Sequence, residues 1–63
     1  MTQQEARNLA MGVRDALPMT LRQRLKAIHV MPRVHNGHLT VRVFMVNQSV
    51  EDQPEFIFTP EEL

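Results

Sequence analysis

Apolar residues in the first third of the chain recur with the period of a helix, and from about residue 28 the period falls to two. Ala6, Leu9, Ala10, Val13, Ala16 and Leu17 make one stripe at helical spacing. Ahead of the stripe, Thr2-Gln3-Gln4-Glu5 has the form of a capping box, with the Thr2 hydroxyl accepting from the Glu5 amide and the Glu5 carboxylate accepting from the Thr2 amide. The pattern predicts a helix over about 3–16, ended by Pro18. Thr20-Leu21-Arg22-Gln23 repeats the signature, and Leu21, Leu25 and Ile28 predict a second, short helix over about 20–27.

Ile28, Val30 and Val34 then alternate with His29, Met31 and Arg33, as a strand does. Asn36-Gly37 is a strong signal for a two-residue hairpin, because both positions of such a turn need positive φ. That loop predicts strands over about 28–35 and 38–46, with His35 facing His38, Val34 facing Leu39, Pro32 facing Val41, Val30 facing Val43 and Ile28 facing Met45. Residues 47–54 are polar and read as a loop, and 55–59 as a third strand that returns beside the second. Thr59-Pro60-Glu61-Glu62 is a third capping signature, with room for one helical turn. The expected fold is α+β, two N-terminal helices packed on a three-stranded antiparallel β-meander in the order α-α-β-β-β.

This arrangement assigns faces. Ile28, Val30, Val34, Leu39, Val41, Val43 and Met45 point to the helices, so Met31, Phe44 and Val46 point away from them. On the third strand Phe56 and Phe58 share one side and Ile57 the other. An apolar outer face with no layer over it, rimmed by Arg33, Arg42, His29 and His38, is what a protein interface looks like without its partner. Met11 lies off the helical stripe beside Arg7 and Arg14 and marks a second surface of the same kind.

Length sharpens this reading. A chain of 63 residues buries only about 60% of the surface that its unfolded form exposes, leaving room for a single domain, residues 1–63, with a thin core. Cysteine is absent, so no disulfide or thiolate zinc site staples it, and self-association becomes a natural source of stability. No apolar run reaches the roughly 18 residues of a membrane span, and residues 1–5 lack the order of a secretion signal, so the expectation is a cytoplasmic protein without a membrane partner.

The net charge of zero conceals an asymmetry. Residues 1–50 carry all seven basic residues against Glu5 and Asp15, a net +5, whereas 51–63 carry five acids and no base, a net −5. Arg22 and Lys26 repel at i, i+4 on the expected second helix, which favours contact between the 51–62 segment and the basic surface of the same chain or of a second copy.

The chemistry-bearing residues do not converge. His35 and His38 flank the turn, but His29 is six residues from His35 along a strand, roughly 20 Å, and two imidazoles fall short of a zinc site. Ser49, Asp52 and a histidine make a triad only on paper, since no nucleophile elbow surrounds Ser49. No phosphate loop or dinucleotide fingerprint is present, and the expectation is no cofactor, no metal and no catalysis. The basic residues between 7 and 42 admit a nucleic-acid-binding regulator, but they fall on at least three surfaces where a phosphate footprint would cluster on one. No segment resembles a motif specific enough to place the chain in a family. The leading expectation is a non-enzymatic protein-interaction module, a regulator, adaptor or inhibitor of the kind small phage or prophage proteins supply. It would bind another protein or itself through Met31, Phe44, Val46, Ile57, Arg33 and Arg42, or through Arg7, Met11 and Arg14.

Overall fold

A computed structural model of the chain describes residues 1–34, 37–51 and 53–63, with the side chains of 33 and 34 outside that description. Helix α1 spans Gln3–Ala16. Its capping box forms as the sequence predicts, with the Thr2 amide donating to Glu5 Oε1 at 2.9 Å and the Glu5 amide to Thr2 Oγ1 at 3.1 Å. Leu17 adopts an extended C-cap, and Pro18 follows. The apolar stripe works as expected except at its end: Ala6 and Ala10 are fully buried, Leu9, Val13 and Leu17 pack against the core from its margin, and Ala16 is exposed.

The second helix is much shorter than its sequence pattern. Helix α2 covers only Met19–Arg22, Pro18 rather than Thr20 stands at its N-cap, and no side chain caps it. Leu25, Lys26 and Ala27 belong instead to strand β1, Leu25–Val34. One helical turn fixes several residues for a single hydrogen bond, whereas the same residues in a strand enter a ladder with Phe44 and Met45. Loss of this helix also removes the Arg22–Lys26 repulsion. Arg22 donates to the Leu17 carbonyl at 3.0 Å, and Lys26 to that of Gln48 at 2.9 Å.

Strand β1 pairs antiparallel with β2, His38–Met45, and antiparallel on its other edge with β3, Phe56–Phe58. The sheet order is therefore β2-β1-β3, and the third strand does not return beside the second as in a meander. Residues 27–31, Ala-Ile-His-Val-Met, carry no Lys, Arg, Asp or Glu and suit a strand buried on both faces, whereas β2 carries Arg42 and takes an edge. β2 and β3 run parallel on either side of β1, so the connection between them crosses β1.

The hairpin register is displaced by two residues from the expected one. Ile28 faces Val43, Val30 faces Val41, His29 faces Arg42 and Met31 faces Thr40. From Ile28 to Met31 a shift of two keeps each side chain on its face, so Ile28, Val30, Val41 and Val43 still point to α1. One residue of the displacement is already present where Val34 faces His38, and the other enters at a first irregularity, between Met31 and Val34, where an extra residue stands on β1; a second irregularity, between Leu25 and Ala27, lies beyond the displaced pairs. The first contains Pro32, which has no N–H to give to a ladder. The second brings Leu25 onto the core side with Ile28. Val34 faces His38 rather than Leu39, and Gly37 has φ of 80°, the left-handed conformation its position requires. His35 and Asn36 lie outside the described residues.

The core joins Ala6 and Ala10 of α1 to Leu25, Ile28, Val30 and Phe58. Burial of each large side chain contributes about 1.5–3 kcal/mol. A 3₁₀ turn, Pro60–Glu62, closes the described chain with a capping box from Thr59, and Leu63 packs at the core margin. No helix among the described residues is long and apolar enough to cross a membrane.

Candidate functional site

The expected outer interface is largely covered. Ala27 and His29 are buried, and Met31 is only 7% exposed, although they point away from α1. The chain leaves β2 opposite Leu25 and enters β3 opposite Val30, and its 46–55 connection must pass from one edge of β1 to the other. Gln48 and Ser49 line a shallow, open depression of about 250 Å³ with Arg42, Val43 and Phe44, which sets the first half of the connection against the β2 side of that face. The Phe44 ring lies on His29 at a centroid separation of 4.5 Å. Sequence alternation places His29 on the rim of an exposed patch; it is fully buried, with the Phe44 ring against it.

The other sequence-predicted positions divide in the same way. Val46 and Ile57 remain exposed, at 58% and 47%, Phe44 is half-buried and Arg42 is exposed. The Arg33 side chain is outside the description. Arg7, Met11 and Arg14 are all half-buried. Arg7 Nε donates to the Glu62 carbonyl at 3.0 Å, and Arg14 donates to the Leu63 carbonyl and pairs with Asp15 at 2.8 Å. The acidic end thus does meet the basic helix, through its main-chain oxygens. His38 is exposed, and its expected neighbour His35 lies outside the described residues, as does Asp52 of the paper triad. Among the described residues no group of three or more His, Cys, Asp or Glu side chains gathers as a metal ion would need.

The feature that sequence reasoning missed is the open edge of β2. Helix α1 packs over β1 and β3, so the core-side row of β2 is only partly covered. Val41, Val43 and Met45 are half-buried and Leu39 is 48% exposed. Backbone direction along β2 follows from two hydrogen bonds. The Val46 amide donates inward to the Arg24 carbonyl at 2.8 Å, and the Met45 amide donates away from β1, to Gln48 Oε1 at 2.8 Å. By alternation the amides of Thr40, Arg42 and Phe44 face β1, and those of Leu39, Val41 and Val43 face outward. Pairing on the opposite side agrees, since it leaves Ile28 and Val30 to bond β3. The signal was present in the connection length: residues 46–55 are too many for a hairpin turn, and a third strand that does not return beside β2 leaves β2 as an edge.

Comparison of the chain with protein-family models, with curated proteins and with solved structures finds no match.

Proposed function

We propose that the protein is a non-enzymatic interaction module that takes an extended segment of another chain as an added strand on β2. The observation that carries this reading is the coincidence, on one strand, of outward amides at Leu39, Val41 and Val43 with an apolar row that α1 leaves partly uncovered. Main-chain hydrogen bonds supply affinity in strand addition, and alternate side chains supply selectivity. The depression beside Phe44 is open and small for a substrate pocket.

The basic residues support this reading over nucleic-acid binding. Arg7, Arg14, Arg22 and Lys26 each donate to a carbonyl of the chain itself and lie on different elements.

The test is affinity capture with the parent and with Val41→Pro as baits. Proline at 41 removes an outward amide and none that faces β1. A protein captured by the parent and lost by at least about tenfold with the folded variant supports the module. Equal capture by both baits, or capture of nucleic acid alone, overturns it.

A further inference from the structure

We infer that the β2 edge is self-complementary and that a second copy of the chain occupies it, joining two three-stranded sheets into one six-stranded sheet about a two-fold axis. The inference rests on the reading of β2 as the binding edge and names its first occupant.

Folded monomers protect a long edge strand with lysine, proline, a bulge or an inward charge. The segment His38–Met45, HLTVRVFM, has none of these on its core face: it lacks Lys and Pro, and both register irregularities place their extra residue on β1. Among the described residues the chain caps this edge at its Met45 end, through Gln48.

Two-fold pairing must bring outward amides to outward carbonyls, which confines the centre to a residue of the odd row for a hydrogen-bonded pair at the axis. Centred on Val41, the pairing sets Val41 against Val41 of the second copy and Leu39 against Val43 of the second copy, so each core-side pair is apolar. On the outer side Arg42 then stands opposite Thr40 of the second copy. A centre at Arg42 sets like charges directly opposite, which is unfavourable. The one arginine of the strand therefore disfavours the Arg42 centre and is accommodated by the Val41 centre, which leaves the apolar row continuous across the axis. Both α1 helices fall on the same side of the joined sheet, with the row Leu39, Val41 and Val43 of each copy flooring the space between them.

The area sets the strength. Seven paired residues extend about 24 Å, and because α1 stops short of β2 the molecular thickness of 17 Å is an upper limit at this edge, so the contact buries at most about 800 Å² in total, below the usual range of a stable specific interface. The dimer is therefore weak, and its population follows concentration.

The experiment combines sedimentation equilibrium with amide exchange by NMR, on the parent and on Leu39→Lys, across about 5 μM to 500 μM. The expected result is a concentration-dependent dimer in which the Val41 and Val43 amides gain at least about tenfold protection at high concentration. Thr40 and Arg42, bonded to β1, are slow throughout. Leu39→Lys, which changes a half-exposed side chain, is folded and at least about tenfold weaker in self-association. A parent that is monomeric to the highest concentration overturns the second copy as occupant, and leaves strand addition to be decided by capture with the Val41→Pro bait. A dimer that forms equally well in the Leu39→Lys variant, or without protection at Val41 and Val43, places the contact elsewhere and overturns the proposal.

Discussion

The two edges of the sheet are finished differently. On the β3 side the strand is three residues long, α1 lies over it, and the turn after it is tied back by Arg7 and Arg14 to the carbonyls of Glu62 and Leu63. On the β2 side the strand has eight residues, the helix layer stops short, and a single glutamine side chain caps one amide. Both edges draw on the same kinds of residue, and what separates them is where α1 lies. A 63-residue chain has one long helix, which covers about two strands, and it covers the two that hold the core. The third strand is left as surface.

The contrast is sharpest in core deletions. Phe58 is 1% exposed and sits between β1 and α1, so Phe58→Ala should cost about 3–5 kcal/mol. A domain of this size has about 3–9 kcal/mol in total, so urea titration should find the midpoint of the variant lowered by about half or more. Val43→Ala, on the half-covered strand, should cost only about 1 kcal/mol. Equal losses at the two positions would show that β2 is as well packed as β3, and would remove the ground for treating it as a binding edge.

A smaller effect is expected at the hairpin end of β2. Gly37 has φ of 80°, and no atom lies within 4 Å of where a Cβ would stand, so the penalty for a side chain is conformational rather than steric. Gly37→Val should destabilise by about 1–3 kcal/mol. In the same variant β1–β3 amides should keep their exchange protection longer than those of β1–β2, because the strain falls on the open side alone. Uniform loss across all three strands would mean that the two edges unfold together.

Much of this was legible in the residues. The helix Gln3–Ala16, its capping box, the turn after Thr59 and the left-handed Gly37 follow from local chemistry, in which a few adjacent side chains satisfy specific backbone groups. The faces of β1 and β2 were legible too, because alternation survives a register shift of two. Three things were not. Residues 25–27 carry helical spacing, and only the ladder with β2 makes them strand. The displaced register is one residue off already at Val34, which faces His38, and gains its second residue at the irregularity that contains Pro32, and a turn signal cannot announce a bulge several residues away. The place of β3 depends on competition between two edges of different strands, a long-range choice that Phe56, Ile57 and Phe58 do not encode locally. Without that choice, alternation alone assigns Met31 and His29 to a surface they do not reach, and Leu39, Val41 and Val43 to a core they only border.

The smallest expected effect lies at the far end of the covered side, where the α1 capping box fixes the start of the helix that makes one edge closed and the other open. The Glu5 carboxyl is held below its ordinary value of 4.5, first by the Thr2 amide and then by the Thr2 hydroxyl, both of which favour the ionised form. A carboxyl whose folded-state value is depressed adds stability that is fully present above its unfolded value and fades as pH falls through the folded one. The difference in urea midpoint between the parent and Glu5→Gln should therefore be constant from about pH 5 to 7 and shrink toward zero as pH drops below 4.5. Other carboxylates titrate in the same window, but they do so in both proteins and cancel in the difference. Exchange protection should fall in α1 and in the β1–β3 amides it covers, while Thr40 and Arg42, bonded on the β2 side, change less. A difference that stays constant down to about pH 3 would assign the effect to the shape of the side chain rather than its charge, and loss spread evenly over both edges would show that the start of α1 does not distinguish them.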